Sequence, residues 1–209
     1  MIRLGVDVGG TFTDLVLTDD SSGAIHVNKV PTTPQDPSIG TMDGAMELCE
    51  IAGVSPANVE QFFHGTTIAT NIVLEHNGAR TGLLTTEGYR DILHIARHKR
   101  PYNFSLQQDL PWQKYPLVRR RYRLPIRERI IAPDGEIQTP LNEEDVVEAV
   151  SKLRKANVEA ISVCFMFAFL NPEHEIRAGE IIRKEWPDVF LSLSHQVIPQ
   201  YREYERFST

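Results

Sequence analysis

The stretch Gly5-Val6-Asp7-Val8-Gly9-Gly10-Thr11-Phe12-Thr13-Asp14 brings a carboxylate, a pair of adjacent glycines and two hydroxyls close together. Glycine has no Cβ, so a loop built on Gly9 and Gly10 lets an anion reach main-chain N–H groups that other residues would screen. Strand side chains alternate faces, which puts Thr11 and Thr13 on one side and Phe12 in the opposite layer, so that both hydroxyls face one anion. Asp7, ending the first strand, is placed to hold a hydrated Mg²⁺ beside that anion, because this ion takes one or two carboxylates together with waters and phosphate oxygens. The same residues also suit a plain glycine-rich hairpin whose threonines serve β-propensity. The order Asp-x-Gly-Gly-Thr near the start of the chain, followed by further strands and a helix, favours phosphate. The loop lacks the Gly-Lys-Ser/Thr of a Walker motif, and a strand rather than a helix follows its glycines, so it is not a dinucleotide fingerprint.

His64-Gly65-Thr66-Thr67 is a second candidate. A strand ends at Phe63 and the threonines open a helix, so Thr66 can cap it while free N–H groups around Gly65, Thr66 and Thr67 face an anion or polar substrate. His64 then lies at the carboxyl edge of the strand, where open α/β sheets place ligands. A hydrogen-bonded structural histidine beside an ordinary N-cap accounts for the same residues. Asp91, His94 and His98 share a helical face, a spacing that suits a metal, but Arg97, Lys99 and Arg100 beside them oppose a cation and favour a solvated basic surface. Residues 97–129 hold ten Lys/Arg against two Asp/Glu, interleaved with Tyr102, Phe104, Trp112, Tyr115 and Tyr122. Such an island is compatible with RNA, and fits better the docking of a partner or an anionic ligand.

The elements that position these residues follow from periodicity. Ile2, Leu4, Val6 and Val8 alternate up to the diglycine, Phe12, Leu15, Val16 and Leu17 resume after it, and Ile25–Val30 alternates again, giving three consecutive antiparallel strands. Asp36-Pro37 starts a helix whose Ile39, Met42, Met46 and Cys49 are expected to pack on the sheet until Gly53. Gln61–Phe63 reads as a short buried strand, 66–75 as a helix and 80–85 as a strand paired in parallel with the preceding one. Residues 87–140 break the rhythm and read as an inserted basic, aromatic subdomain with a turn at Pro133-Asp134-Gly135. From Asn142 the α/β pattern returns: a capping pair Asn142/Asp145, a helix with Val146, Val150 and Leu153 on one face, a strand at 158–165, a helix at 172–186 and a strand at 189–193. The expected division is 1–86, the first part of the α/β domain with its phosphate loop; 87–140, the insertion; and 141–209, the continuation, expected to be interrupted before a second domain.

With 22 Lys+Arg and 28 Asp+Glu, the net charge is −6, which argues against a general nucleic-acid binder. The longest apolar run, Val163 to Leu170, is far below the roughly 20 residues of a membrane span. The N-terminal segment carries Asp7 and has no charged-then-apolar leader pattern, so the expected location is cytoplasmic. Cys49 and Cys164 sit among apolar residues at a spacing that supports neither a disulfide framework nor a metal knuckle.

Asp7 to Asp14 resembles the first phosphate loop of the actin/hexokinase/Hsp70-like ATPase superfamily, in the form found in the hydantoinase A/5-oxoprolinase family. Three further segments carry the resemblance: His64-Gly65-Thr66-Thr67-Ile68-Ala69-Thr70-Asn71; Glu87 to Leu93 with Arg100-Pro101; and Arg123 to Ile130. The resemblance implies an α/β, actin-like (ribonuclease H-like) ATPase domain with a mixed sheet, three leading antiparallel strands and an inserted subdomain. It implies ATP and Mg²⁺, held through Asp7, Gly9, Gly10, Thr11, Phe12 and Thr13 and assisted by His64, Gly65, Thr66 and Thr67, with Asp7 and His64 in catalytic roles. The implied activity is phosphorylation of a cyclic amide before ring-opening hydrolysis, as in hydantoinases and 5-oxoprolinases. The alternatives are phosphorylation of a ketone enolate in an acetone- or acetophenone-type carboxylase, and a non-catalytic assembly module. The implied partners are a small cyclic amide or ketone, a subunit of hydantoinase B type or a fused second half, and an oligomer, without nucleic acid or membrane.

Overall fold

The computed structural model describes residues 1–99 and 102–209. They form two compact units, Met1–Gly78 and Ala79–Thr209.

The first unit contains β1 (Ile2–Val8), β2 (Phe12–Asp19), β3 (Ala24–Pro31), α1 (Pro37–Ile51), β4 (Gln61–Thr66) and α2 (Ile68–Glu75). Its sheet has the order β3-β2-β1-β4; the first three strands are antiparallel and β4 joins β1 in parallel, so the sheet is mixed. Leu4, Val6, Val8, Leu15 and Leu17 form one face of a core completed by Ala45, Leu48 and Cys49 of α1. Asp36 caps α1 by accepting from Ser38 N at 3.0 Å, with Pro37 at the first helical position as the sequence suggests. The buried face of α1 is not the expected one. Ile39, Met42 and Met46 are exposed, and Gly40, Thr41, Gly44, Ala45, Leu48 and Cys49 face the sheet. The cause is close approach: a Cβ on Gly44 would lie 2.8 Å from Val30 and 2.9 Å from Leu15. A stripe of small residues brings the helix nearer the sheet than methionines would allow.

β4 also departs from expectation. It runs to Thr66, all six of its residues are exposed, and α2 begins only at Ile68. It does not pair with the strand that follows it: β4 lies beside β1, and β5 belongs to the other sheet.

The second unit contains β5 (Thr81–Thr86), α3 (Ile92–Ile95), α4 (Pro111–Lys114), β6 (Arg123–Ile126), β7 (Arg129–Ile131), β8 (Glu136–Thr139), α5 (Glu143–Lys155), β9 (Ala160–Cys164), α6 (Glu173–Glu185), β10 (Phe190–Leu193), α7 (Ser194–Val197) and α8 (Glu203–Ser208). Its main sheet is parallel with the order β10-β9-β5-β6. Five of the six residues of β5 are buried, as a strand flanked on both edges requires, which explains why it pairs with β6 and β9. Gly82 makes room for α5, since a Cβ there would lie 2.5 Å from Leu153 Cδ1. β6, inside the region read as an insertion, is the edge strand of this sheet, β7 and β8 form a separate two-stranded sheet, and the compact units divide at Gly78. The expected turn at Pro133-Asp134-Gly135 joins β7 to β8, with Gly135 at φ +72°.

The rest of this unit follows the sequence pattern. Asn142 caps α5 by accepting from Asp145 N at 2.9 Å, acidic residues fill the first turn and basic ones the last, and Val146, Val150 and Leu153 are buried. Cys49 and Cys164 are free and buried, and burial pushes both thiols up from their ordinary range. Among the described residues no helix is long and apolar enough to cross a membrane.

Candidate functional site

The corner between β1 and β2 is held from inside. Gly9 N donates to Phe12 O at 3.0 Å, closing the turn, and a Cβ on Gly9 would lie 2.9 Å from that same carbonyl oxygen. Gly10 is crowded from the other side, where its Cβ would meet Asn71 Nδ2 at 3.2 Å. Neither glycine has a positive φ; space demands glycine at position 9, where the obstacle is backbone, while at position 10 it is the end of the Asn71 side chain. Thr32, just past β3, reaches back to the corner: its N–H donates to Thr11 O at 3.0 Å and its hydroxyl to Gly9 O at 2.9 Å. Among the described residues, the N–H groups of Gly10 and Thr11 have no acceptor. Two unpaired donors on an exposed glycine-rich turn fit an anion of phosphate type.

The threonines do not behave as the alternation suggests. Thr11 is exposed in the turn, whereas Thr13 is fully buried on the α1 side with Leu15 and Leu17. The Thr13 and Thr32 hydroxyls are 3.0 Å apart. A carbonyl oxygen only accepts, so Thr32 spends its proton on Gly9 O and Thr13 must donate to Thr32. The Thr13 proton is therefore committed to the interior. Phe12, expected in the opposite layer, is half exposed on the open face of the sheet, with Lys29 Nζ 5.2 Å from its ring centroid.

Asp7 lies on that open face, exposed, directly across from Asp14 in the β1–β2 register. Lys29 Nζ, 2.9 Å from Asp14 Oδ1, neutralises the second carboxylate. An open groove of about 920 Å³ runs along this face over Gly5, Val16, Val27 and Phe63 with Asp7 at its edge. Gly65 pairs with Asp7, and a Cβ there would come within 3.8 Å of Asp7 Oδ1, so glycine leaves the space beside the carboxylate free. Among the described residues no group of three or more His, Cys, Asp or Glu side chains is arranged to hold a metal. An ion at Asp7 would thus draw most of its ligands from phosphate and water, the coordination Mg²⁺ favours.

His64 pairs with Val6, one position out of phase with Asp7, and so projects from the α1 side of the sheet. It is exposed because α1 does not cover β4. The structure therefore places Asp7 and His64 on opposite faces. Thr66 Oγ1 donates to Val8 O at 3.2 Å and accepts from Ile68 N at 3.2 Å, while Thr67 N also donates to Val8 O at 3.2 Å. Thr66 caps α2 as expected; the formal N-cap residue, Thr67, makes no side-chain capping bond. These bonds fasten the start of α2 to the last residue of β1. A cavity of about 540 Å³ lies beside the diglycine, lined by Gly9, Gly10, Thr11, Asn71, Ile72 and Glu75.

Sequence reasoning missed Thr32 and Asn71. Asn71 stood at the end of the histidine–threonine segment as a visible clue; Thr32, within Pro31-Thr32-Thr33-Pro34, gave none. In the second unit, Asp91 forms two 2.8 Å bonds with Arg120, which hold its carboxyl below the usual range, so this carboxylate meets an arginine. In the second unit the carboxyl edge of the sheet carries buried polar groups that satisfy one another. Glu175 accepts from Phe165 N, Ser194 Oγ, His195 N and His195 Nδ1, and Glu128 accepts from Thr86 and pairs with His174 at 2.7 Å. Arg206 bonds Ser194 Oγ and Phe165 O, fastening α8 to this edge.

Residues 3–186 match the family model described as the hydantoinase/oxoprolinase N-terminal region. The chain belongs to the hydantoinase/oxoprolinase family. Within that family it is 37% identical over 211 residues to the caprolactamase subunit alpha of Pseudomonas jessenii, covering 99% of this chain and 30% of that one. It is also 37% identical over 224 residues to the acetophenone carboxylase gamma subunit of Aromatoleum aromaticum, covering 99% and 30%. The solved structure of the ATP-dependent Pseudomonas jessenii caprolactamase superposes with a TM-score of 0.79 over 99% of this chain and 30% of that one. Nucleotide-free acetone carboxylase superposes with a TM-score of 0.86 at 25% identity, covering 100% and 31%. This family member thus has the α/β, mixed-sheet, ATPase-like fold, and it spans about 30% of the length of these relatives.

Proposed function

We propose that this chain is the N-terminal part of an ATP-dependent amide-hydrolysing subunit, whose diglycine corner binds the phosphates of ATP and whose Asp7 holds the accompanying Mg²⁺. The observation that carries the reading is the pair of unpaired N–H groups at Gly10 and Thr11, in the turn that follows the strand bearing the exposed Asp7 carboxylate, in a chain whose caprolactamase relative is ATP-dependent. A lactam carbonyl is a poor electrophile. When its oxygen attacks the γ-phosphorus and ADP leaves, with the N–H proton lost, the resulting O-phosphorylated imidate has a carbon that water can attack; the adduct expels the amine, breaking the C–N bond and opening the ring, and a second water hydrolyses the acyl phosphate so formed to carboxylate and phosphate. Mg²⁺ supplies charge neutralisation at the phosphates. The protein's part in such a transfer is positioning and electrostatic stabilisation. Gly10 and Thr11 N–H groups would bind phosphate oxygens, the Thr11 hydroxyl adds a donor, and Gly65 keeps the space beside Asp7 open. His64, which lies within β4 two residues before its end and not at the strand edge expected from sequence, is on the other face and would act on a group approaching from that side. Partner subunits, a cytoplasmic location and an oligomeric enzyme belong to the same proposal.

A second reading, phosphorylation of a ketone enolate before carboxylation, is favoured by the acetophenone carboxylase relative and the acetone carboxylase superposition. The test is ADP release by the purified enzyme with its partner subunits. Cyclic amides that stimulate ADP formation in step with ring-opened amino acid support hydrolysis; ketones that do so only with bicarbonate support carboxylation. Absence of ATP consumption with both would leave a non-catalytic assembly role.

A further inference from the structure

We infer that Thr32 is a positioning residue for the phosphate corner: by holding the Gly9 carbonyl inward, it aims the Gly10 N–H outward at the anion. The inference rests on the nucleotide-binding reading of that corner. The atoms of a peptide unit lie in one plane with C=O and N–H trans to each other. Fixing the Gly9 carbonyl therefore fixes the direction of the Gly10 N–H. The Thr32 hydroxyl holds the former at 2.9 Å from the interior, so the latter is turned the opposite way, and Gly10 is exposed there without an internal acceptor. The Thr32 N–H fixes the chain again two peptides further on, holding Thr11 O at 3.0 Å.

The clamp is itself anchored. Thr13 donates to the Thr32 hydroxyl from a fully buried position, so the proton order Thr13 to Thr32 to Gly9 has a single direction. The next residue, Thr33, donates to Asp36 O and accepts from Gly40 N, and Gly40 lets α1 sit against Pro31, since a Cβ there would be 3.0 Å from Pro31 O. The first turn of α1 thus stiffens the segment that aims the loop. Two diglycine residues without side chains would otherwise leave this turn its full conformational freedom, and an oxyanion site gains most from donors oriented before the ligand arrives.

The test uses Thr32→Val and Thr32→Ser in the purified enzyme, with hydrogen exchange over residues 8–12 and steady-state kinetics. Thr32→Val is expected to speed exchange in this segment and raise KM for ATP about tenfold with kcat within about twofold, and Thr32→Ser to restore both. Thr41→Val is the control for generic destabilisation: it removes another buried hydroxyl of the first unit, bonded to Pro37 O at 2.9 Å, and should change neither. Unchanged exchange and KM in Thr32→Val, or equal effects from Thr41→Val, would overturn the inference. If the wild-type enzyme binds no Mg·ATP, the nucleotide reading fails on its own, and the exchange arm still decides whether Thr32 holds the corner.

Discussion

Replacing Thr11 and Thr13 separately by valine distinguishes a hydroxyl that meets a ligand from one that holds the fold. Valine keeps the β-branched shape and removes only the hydroxyl, so each variant isolates one hydrogen-bonding group. Thr13 is fully buried and donates to Thr32. Losing that bond costs about 1 kcal/mol, the usual net worth of an internal hydrogen bond. In a unit the size of residues 1–78, each kcal/mol shifts Tm by about 4–8 °C, so Thr13→Val should melt measurably earlier. Thr11 is exposed and its hydroxyl has no partner among the described residues, so Thr11→Val should stay within about 0.5 kcal/mol of wild type. The catalytic readout is opposite in rank: Thr11→Val loses a donor at the phosphate and raises KM for ATP, whereas Thr13→Val acts on KM only as far as it loosens Thr32. Thermal melts and ATP kinetics on the same preparations give both numbers. If Thr13→Val keeps its Tm and loses ATP affinity, the Thr13 hydroxyl serves the ligand and the buried proton order is wrong.

Asp7→Ala should abolish most ATP turnover while leaving Tm within the small range of surface substitutions, because the carboxylate is exposed; turnover unchanged across a Mg²⁺ titration would remove Asp7 from the site. Gly82→Ala should destabilise the second unit by about 2 kcal/mol, since its Cβ would lie 2.5 Å from Leu153 Cδ1 in a packed core; a denaturant midpoint equal to wild type at equal m value refutes it. Asp145, bonded twice by the Arg127 guanidinium and once by its N–H, has its carboxyl held below the ordinary range, so its stabilisation is present above about pH 3.9, the unfolded value, and is lost as pH falls through the lower folded value. The Tm gap between wild type and Asp145→Asn should accordingly close on acidification below about pH 4, and a gap that widens there contradicts the sign.

The second unit was the more legible in sequence because its elements carry their own stop and start signals. Asn142 with Asp145, the basic last turn of α5 and the apolar run around β9 each specify one local structure, and all three are present. Strand pairing was less legible. β4 and β5 flank a helix and so suggest one parallel unit, but pairing depends on which strand has two buried faces; β5 does and β4 does not. β6 was hidden for a similar reason. Its four residues contain Arg123 and Pro125, which give no strand pattern, and they form a sheet edge by pairing with β5 while the Arg123 and Ile126 side chains are buried, Arg123 donating to Val118 O.

At the site, two misreadings share one physical cause. The face of α1 follows in sequence from its largest apolar residues, Ile39, Met42 and Met46, and the common face of Thr11 and Thr13 from strand alternation carried back through the turn. Each depends on how close the helix lies to the sheet. Gly40 and Gly44 let α1 settle onto β2 and β3, which makes the inner side of β2 a dry layer in which Leu15 and Leu17 are buried. Thr13 is in phase with those leucines and is carried inward with them, while Phe12, Asp14 and Val16 go to the open face. A buried hydroxyl there needs a partner, and Thr32 is the one within reach. The small residues of α1 thus account both for the Thr13 hydroxyl that is turned into the core and for its bond to Thr32, the residue we propose aims the Gly10 amide.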